Sequence, residues 1–168
     1  MTRRVRIRVL GAGAAAVLAV TAAPWAVSSA TASPATVSAV RTKASEQQIR
    51  ALFTRWNRSL TTLDPQRVAD RYAPDGVLVP TVSNQVRTNR AEIVDYFQHF
   101  LENRPQAVIT ESHVKVLDPT TAIDTGTYRF TLRSDSGTRV VDARYTFVYE
   151  RINGKWLIVN HHSSAMPE

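Results

Sequence analysis

The chain has 168 residues, no cysteine, four histidines and a formal charge of +7. Without cysteine there are no disulfides, no thiol catalysis and no cysteine metal sites. Arg3, Arg4, Arg6 and Arg8 sit in the leader with no acidic residue to offset them, so the rest of the chain carries only about +3 and a nucleic-acid surface loses its main support.

Residues 1–32 open on those arginines and continue into a small-residue apolar run, Val9–Val27, broken by Pro24. Ser28-Ser29-Ala30 and Ala30-Thr31-Ala32 both suit a signal peptidase. This order predicts a secretory signal peptide, hence an exported protein with no stable membrane span after processing. The run has roughly the length of a bilayer span, but Ala and Gly dominate it and no charged stop follows. Thr2-Arg3-Arg4 is a partial twin-arginine signal, which leaves the export route open. Residues 33–44, rich in Ser, Thr and Ala, read as a flexible linker. Residues 45–168 then form one domain, long enough to hold a core without disulfides.

Ser45 caps a first helix whose apolar residues are Ile49, Leu52, Phe53, Trp56 and Leu60, with Arg50, Arg55 and Arg58 on the other side. Asp64-Pro65 starts a short second helix with Val68, Ala69 and Tyr72 on its apolar face. Ala73-Pro74-Asp75-Gly76 reads as a turn. Val77–Val79 is a short strand, and a weak second one lies around Gln85–Arg87. Asn89 or Thr88 caps a third helix over Arg90–Asn103, with Ile93, Val94, Phe97, Phe100 and Leu101 as its stripe. Tyr96 and His99 flank that stripe, His99 on the polar face.

Strands are predicted at Gln106–Leu117, Thr121–Arg133, Thr138–Arg151 and Lys155–Ser164. The last two form a hairpin on Asn153-Gly154, a pair that supplies the positive φ angles of a type I′ turn. In strict alternation Ala143, Tyr145, Phe147 and Tyr149 share one face, and Leu157, Val159 and His161 oppose Trp156, Ile158, Asn160 and His162. Helices followed by a four-strand antiparallel meander predict an α+β fold with the helices on one face of a curved sheet.

Trp56-Asn57, the stretch Tyr72–Pro80 and above all Gly154–Val159 running into His161–Pro167 carry a resemblance. The domain resembles the nuclear-transport-factor-2-like, or SnoaL-like, superfamily. Within it the chain is most similar to bacterial relatives of the association domain of calcium/calmodulin-dependent protein kinase II, some of which are labelled SgcJ/EcaC-type oxidoreductases. The resemblance implies a cone-shaped, cystatin-like fold, a strongly curved antiparallel sheet wrapped around about three N-terminal helices. It also implies a pocket at one end and self-association as a homodimer or larger ring. It places Arg129 in the pocket and matches His162 to a C-terminal histidine. Phe147 stands where the kinase domain has a second pocket arginine. Arg144 replaces that arginine only if a β-bulge turns it inward, so the facing of Arg144 against Tyr145 stays open. Kinase motifs are absent from the chain.

Three functional readings follow. The first is a binding pocket for a small anionic or aromatic molecule, formed by Trp56, Tyr72, Tyr96, His113, Arg129, Arg144, Tyr145, His161 and His162, since arginine holds carboxylate or phosphate through paired hydrogen bonds. Against it, Asp124 and Asp142 could pair with the arginines across adjacent strands. The second is a cofactor-independent isomerase, dehydratase or cyclase, with His113, His162, Asp124 or Asp142 as base and Tyr72, Tyr96 or Tyr145 as donor. The third is a non-catalytic assembly module. No cofactor motif or metal spacing is present, because adjacent His161 and His162 point to opposite faces of a strand. No nucleic-acid partner is expected.

Overall fold

The computed structural model describes residues 42–81 and 83–167; the expected leader and most of the expected linker lie outside the described residues. Helix α1, Glu46–Leu60, starts at a capping box: the Gln48 N–H donates to Ser45 Oγ (3.2 Å) and the Ser45 N–H to Gln48 Oε1 (2.8 Å). Its apolar stripe, Ile49 to Leu60, is buried as the periodicity predicts. Asn57 extends that packing with a polar clamp, its amide donating to Ala107 O (2.7 Å) and accepting from Ala107 N–H (3.0 Å). Asp64 caps α2, Pro65–Ala69. Asn89, not Thr88, caps α3, Arg90–Phe100, which tightens into a 3₁₀ turn over Leu101–Asn103 and stops where Arg104 turns left-handed at φ 42°.

Five strands follow the order β1-β5-β4-β3-β2: β1 Tyr72–Val79, β2 Gln106–Val116, β3 Thr121–Ser134, β4 Gly137–Ile152 and β5 Lys155–Ala165. The meander β2 to β5 runs antiparallel as predicted, within a residue or so of the expected ends. The N-terminal edge corrects the expectation. β1 begins at Tyr72 and pairs parallel to β5, and Ala73–Gly76 is an irregularity inside it, not a turn before it. Gly76 is required there, because a Cβ would stand 2.9 Å from Ile158 O. The weak strand at Gln85–Arg87 reduces to one bridge between Leu78 and Arg87.

Two bulges set the facing of the sheet. In β2 the register shifts between Ile109 and Glu111, opposite Gly126 and its neighbours. In β5 the partners of Val148 and Tyr149 are Asn160 and Ile158, so Val159 is the extra residue. That insertion turns both Ile158 and His161 inward, which strict alternation forbids. β3 and β4 keep strict alternation through the core, burying Tyr128, Phe130, Tyr145, Phe147 and Tyr149. Arg129 and Arg144, between those residues, therefore project outward. The core is aromatic: Phe147 stacks on Tyr149 and His161 and meets Trp56 edge-on, with centroids 5.7, 4.0 and 5.4 Å apart.

Candidate functional site

A cavity of about 40 Å³ lies between α1, α3 and the inner face of the sheet. Its walls are mainly apolar, with Trp56, Leu78, Phe97, Phe100 and Phe130 prominent; polar groups enter from Thr81, Tyr128, His161 and Ser163, and Tyr96 closes one side. The volume exceeds the ~15 Å³ that one water needs but is well short of the ~150 Å³ that admits a benzene ring. A ring-sized guest enters only when side chains of the wall move apart.

Behind the wall runs a buried chain of hydrogen bonds. Trp56 Nε1–H donates to Tyr72 Oη (3.1 Å), and Tyr72 Oη lies 2.9 Å from His161 Nδ1. An indole N–H can only donate. The Tyr72 oxygen accepts that bond and its own proton goes to His161 Nδ1. Burial drives the His161 pKa down from 6.5 to about 3, with the His162 charge adding to the effect, so the ring is neutral and its remaining proton sits on Nε2. That N–H is buried and meets no acceptor among the described residues. The chain is thus satisfied except at that one N–H, on a ring that lines the cavity. A second chain runs from Tyr128 Oη to Ser163 Oγ (2.5 Å) and on to Thr81 Oγ1. Burial holds Tyr72, Tyr96 and Tyr128 above the ordinary phenol range, so all three remain protonated donors.

Tyr72→Phe tests the first chain. The substitution removes only the hydroxyl, and it leaves the Trp56 N–H and His161 Nδ1 buried without partners. The expected loss is about 2 to 4 kcal/mol in urea unfolding. A loss below about 0.5 kcal/mol would mean that the three groups are not coupled.

The nine expected pocket residues separate into groups. Trp56, Tyr96 and His161 line the cavity, and Tyr72 orients His161 from behind. His113, Arg144 and His162 lie on the outer face of the sheet, along an open polar groove that the edge of Tyr145 also reaches. His113 pairs there with Glu111 at 2.8 Å. Arg129 corrects the expectation most clearly. Its Nε and Nη2 donate to the two carboxylate oxygens of Asp142 at 2.7 and 3.0 Å, both residues are exposed, and the guanidinium holds the Asp142 carboxyl below its usual range. The cause is alternation: Tyr128 and Phe130 take the inward positions on either side. The bulge considered for Arg144 occurs in β5 instead, and it leaves Arg144 outside.

None of the four candidate bases lines the cavity. His113, His162 and Asp142 are on the outside. Asp124 is fully buried but committed to structure, its Oδ1 accepting from Ser112 Oγ (2.6 Å) and Tyr145 Oη (3.1 Å). Arg50, which the helical pattern assigned to the solvent side, reaches the same cluster and donates to Ser112 O (3.1 Å) and Ser112 Oγ. The sequence reading also missed Thr81, Tyr128 and Ser163. Ser163 had a usable signal in its i+2 spacing from His161 on the same strand, whereas nothing local points to Thr81. Among the described residues no group of three His, Asp or Glu stands close enough to hold a metal ion.

Comparison with known proteins agrees with this architecture. The family model of the calcium/calmodulin dependent protein kinase II association domain matches residues 45–167. A Xanthomonas campestris structure provisionally described as such an association domain is 51% identical, with a TM-score of 0.72, covering 77% of this chain and 97% of its own. A provisionally assigned dehydratase of the nuclear-transport-factor-2-like family from Streptomyces avermitilis is 18% identical, with a TM-score of 0.65 over 73% of this chain and 96% of its own. A provisionally assigned aromatic ring hydroxylase from Novosphingobium aromaticivorans is 20% identical, with a TM-score of 0.63 over 71% and 87%. These last two share the fold alone. No curated protein matches the sequence. The capped first helix, the five-stranded sheet with its bulged C-terminal strand and the match across the whole domain place the chain in the calcium/calmodulin-dependent protein kinase II association-domain family, with the nuclear-transport-factor-2-like fold.

Proposed function

We propose that the protein is a small-molecule-binding domain whose ligand carries an apolar body and a carbonyl-type oxygen, held in the cavity with that oxygen on His161 Nε2–H. One observation carries the reading: a buried, uncharged N–H donor without a partner among the described residues, on a ring that lines a mainly apolar cavity. An unmet buried donor costs about 1–3 kcal/mol, which an acceptor on the ligand would recover. The same donor would polarise a carbonyl for catalysis. With His161 as donor and the four candidate bases off the cavity wall, binding is the better-supported function. Export by the 1–32 leader and pairing of two copies through the outer sheet face belong to the same reading. The leader composition and the exposed Val108 and Val140 on the sheet support them.

Thermal unfolding of the purified protein with cyclopentanone, and with cyclopentane as the hydrocarbon control, tests this. Cyclopentanone is expected to raise the melting temperature more than cyclopentane, His161→Phe to remove the difference, and Arg129→Ala to respond as the wild type does. Equal effects of ketone and hydrocarbon would overturn the reading, and so would loss of the ketone effect in Arg129→Ala.

A further inference from the structure

Tyr96 and Phe100, one turn apart on α3, line the closed cavity and also an open groove of about 290 Å³. Ser83, Arg87, His99 and Asn103 complete the groove. The two rings stack, with centroids 5.6 Å apart and planes at 17°, so the partition between the two spaces is a pair of aromatic rings. Most of the cavity wall is fixed core: Trp56, Leu78, Phe97, Tyr128 and Ala143 are each 1% exposed. Tyr96 and Phe100 are only half-buried. Thr81 and Val141 are half-buried too, but the Thr81 hydroxyl is tied to Ser163 and Val141 is a short side chain on a strand.

The two rings of the partition are held differently. Phe100 meets Phe130 of the sheet edge-on at 5.7 Å, which pins it to the core. Among the described residues Tyr96 packs only on rings of its own helix, Phe97 edge-on at 5.2 Å and Phe100 face-on. Its hydroxyl bonds to no group among the described residues. What covers it is a cation, with Arg87 Cζ 5.7 Å from the ring centroid. Arg87 is 7% exposed and well anchored on the loop between β1 and α3. Two backbone hydrogen bonds join it to Leu78, at 2.8 and 2.9 Å, and its Nη1 donates to Gln85 O (2.6 Å) and Ser83 Oγ (3.3 Å). A helical aromatic residue has two comfortable χ1 states, about 180° and about −60°. Tyr96 can therefore leave the wall by changing rotamer while α3 stays in place. The move gives up ring stacking and the contact with Arg87, but no hydrogen bond.

We infer that Tyr96 is a hinged partition that sets the length of ligand the site accepts, with Arg87 as the latch that holds it shut. Shut, it confines a guest to the cavity of about 40 Å³. Turned, it joins cavity and groove, and a ligand with its head beside His161 extends into the groove. The inference rests on the cavity being the ligand site. It adds how a ligand enters and which residue limits its size. Tyr96 is a specificity-determining residue in this scheme, not a catalytic one.

Acrylamide quenching of Trp56 fluorescence reads the partition without any ligand. It is measured in protein carrying Trp25→Phe and Trp156→Phe, which leaves Trp56 as the one tryptophan. Tyr96→Ala is expected to quench about tenfold faster, because access no longer waits for a local opening. Arg87→Met keeps the ring and removes the charge above it, and is expected to speed quenching about threefold; it gives an answer even if Tyr96→Ala folds poorly. Tyr96→Phe, which loses only the unbonded hydroxyl, is expected to match the wild type. The length limit is read by titrating cyclopentanone and 2-pentylcyclopentanone. Tyr96→Ala is expected to bind the pentyl compound about tenfold more tightly than the wild type does, and cyclopentanone equally well. Quenching that neither Tyr96→Ala nor Arg87→Met accelerates would overturn the partition whatever the ligand. If cyclopentanone binds and the pentyl compound gains nothing in Tyr96→Ala, the length limit fails and the cavity reading stands. If neither ketone binds either protein, the length limit fails together with the cavity reading.

Discussion

Acidification from pH 6.5 toward pH 3 costs the fold about 4 to 5 kcal/mol through His161 alone. In the unfolded chain this imidazole takes up a proton near pH 6.5, while in the folded protein burial delays protonation to about pH 3. Between those values the unfolded state binds the extra proton. Stability is therefore complete above the unfolded pKa, falls as pH drops through the window by about 1.4 kcal/mol per pH unit, and levels off once both states are protonated. Glu92, Asp118 and Asp142 are carboxyls held low by their partners, so their contributions are lost at more acid pH, below the 4.5 of an ordinary glutamate. The upper part of the window thus belongs to His161. Urea unfolding at intervals from pH 7 to pH 4 should show the slope in the wild type. In His161→Gln, whose amide oxygen can still accept from Tyr72 but cannot titrate, it should be absent. Equal slopes in the two proteins would mean that His161 is not held neutral by burial. The titration also bears on the ligand, because a histidine charged at neutral pH would be a cation in the cavity wall, not a neutral donor.

Gly126→Ala is expected to destabilise the protein by more than about 3 kcal/mol, beyond the usual range for overpacking. A Cβ built on Gly126 stands 2.0 Å from Glu111 O and 2.7 Å from Glu111 C, in the backbone of β2 at its bulge. Neither strand can move aside easily, since β3 is paired on both edges and β2 is held to α1 through Asn57 and Arg50. Gly154→Ala provides the contrast. Its φ is 80° and nothing lies within 4 Å of the added carbon, so it meets only backbone strain, about 1 kcal/mol. Denaturant midpoints of the two variants decide the matter. A Gly126→Ala protein as stable as Gly154→Ala would show that the bulge yields.

These two positions mark different degrees of legibility. The Asn153-Gly154 turn could be read directly, because its two positive φ angles, 50° and 80°, are a local demand that few residue pairs satisfy. The caps at Ser45, Asp64 and Asn89 are equally local. Gly126 gave no such sign, since its need arises from a bulge in another strand. His161 was not legible as a neutral donor, because its neutrality comes from burial in the folded core and its tautomer from Tyr72 and Trp56, distant in sequence. Arg129 was misplaced by transfer from the resemblance, against an alternation that already put Tyr128 and Phe130 on the opposite face.

By itself, then, the sequence determined the helices with their caps, the antiparallel meander and the aromatic inner face of β4. All of these follow from short-range periodicity, capping and turn chemistry. Tertiary structure alone decided the parallel seat of β1 beside β5, the bulge at Val159 that turns His161 inward, and the burial of Arg87 beside Tyr96. A strand's period of two assigns faces only as far as the next bulge, and a bulge is fixed by the backbone lying across from it. A charge is buried or free according to the elements that fold around it, whatever its neighbours in the chain.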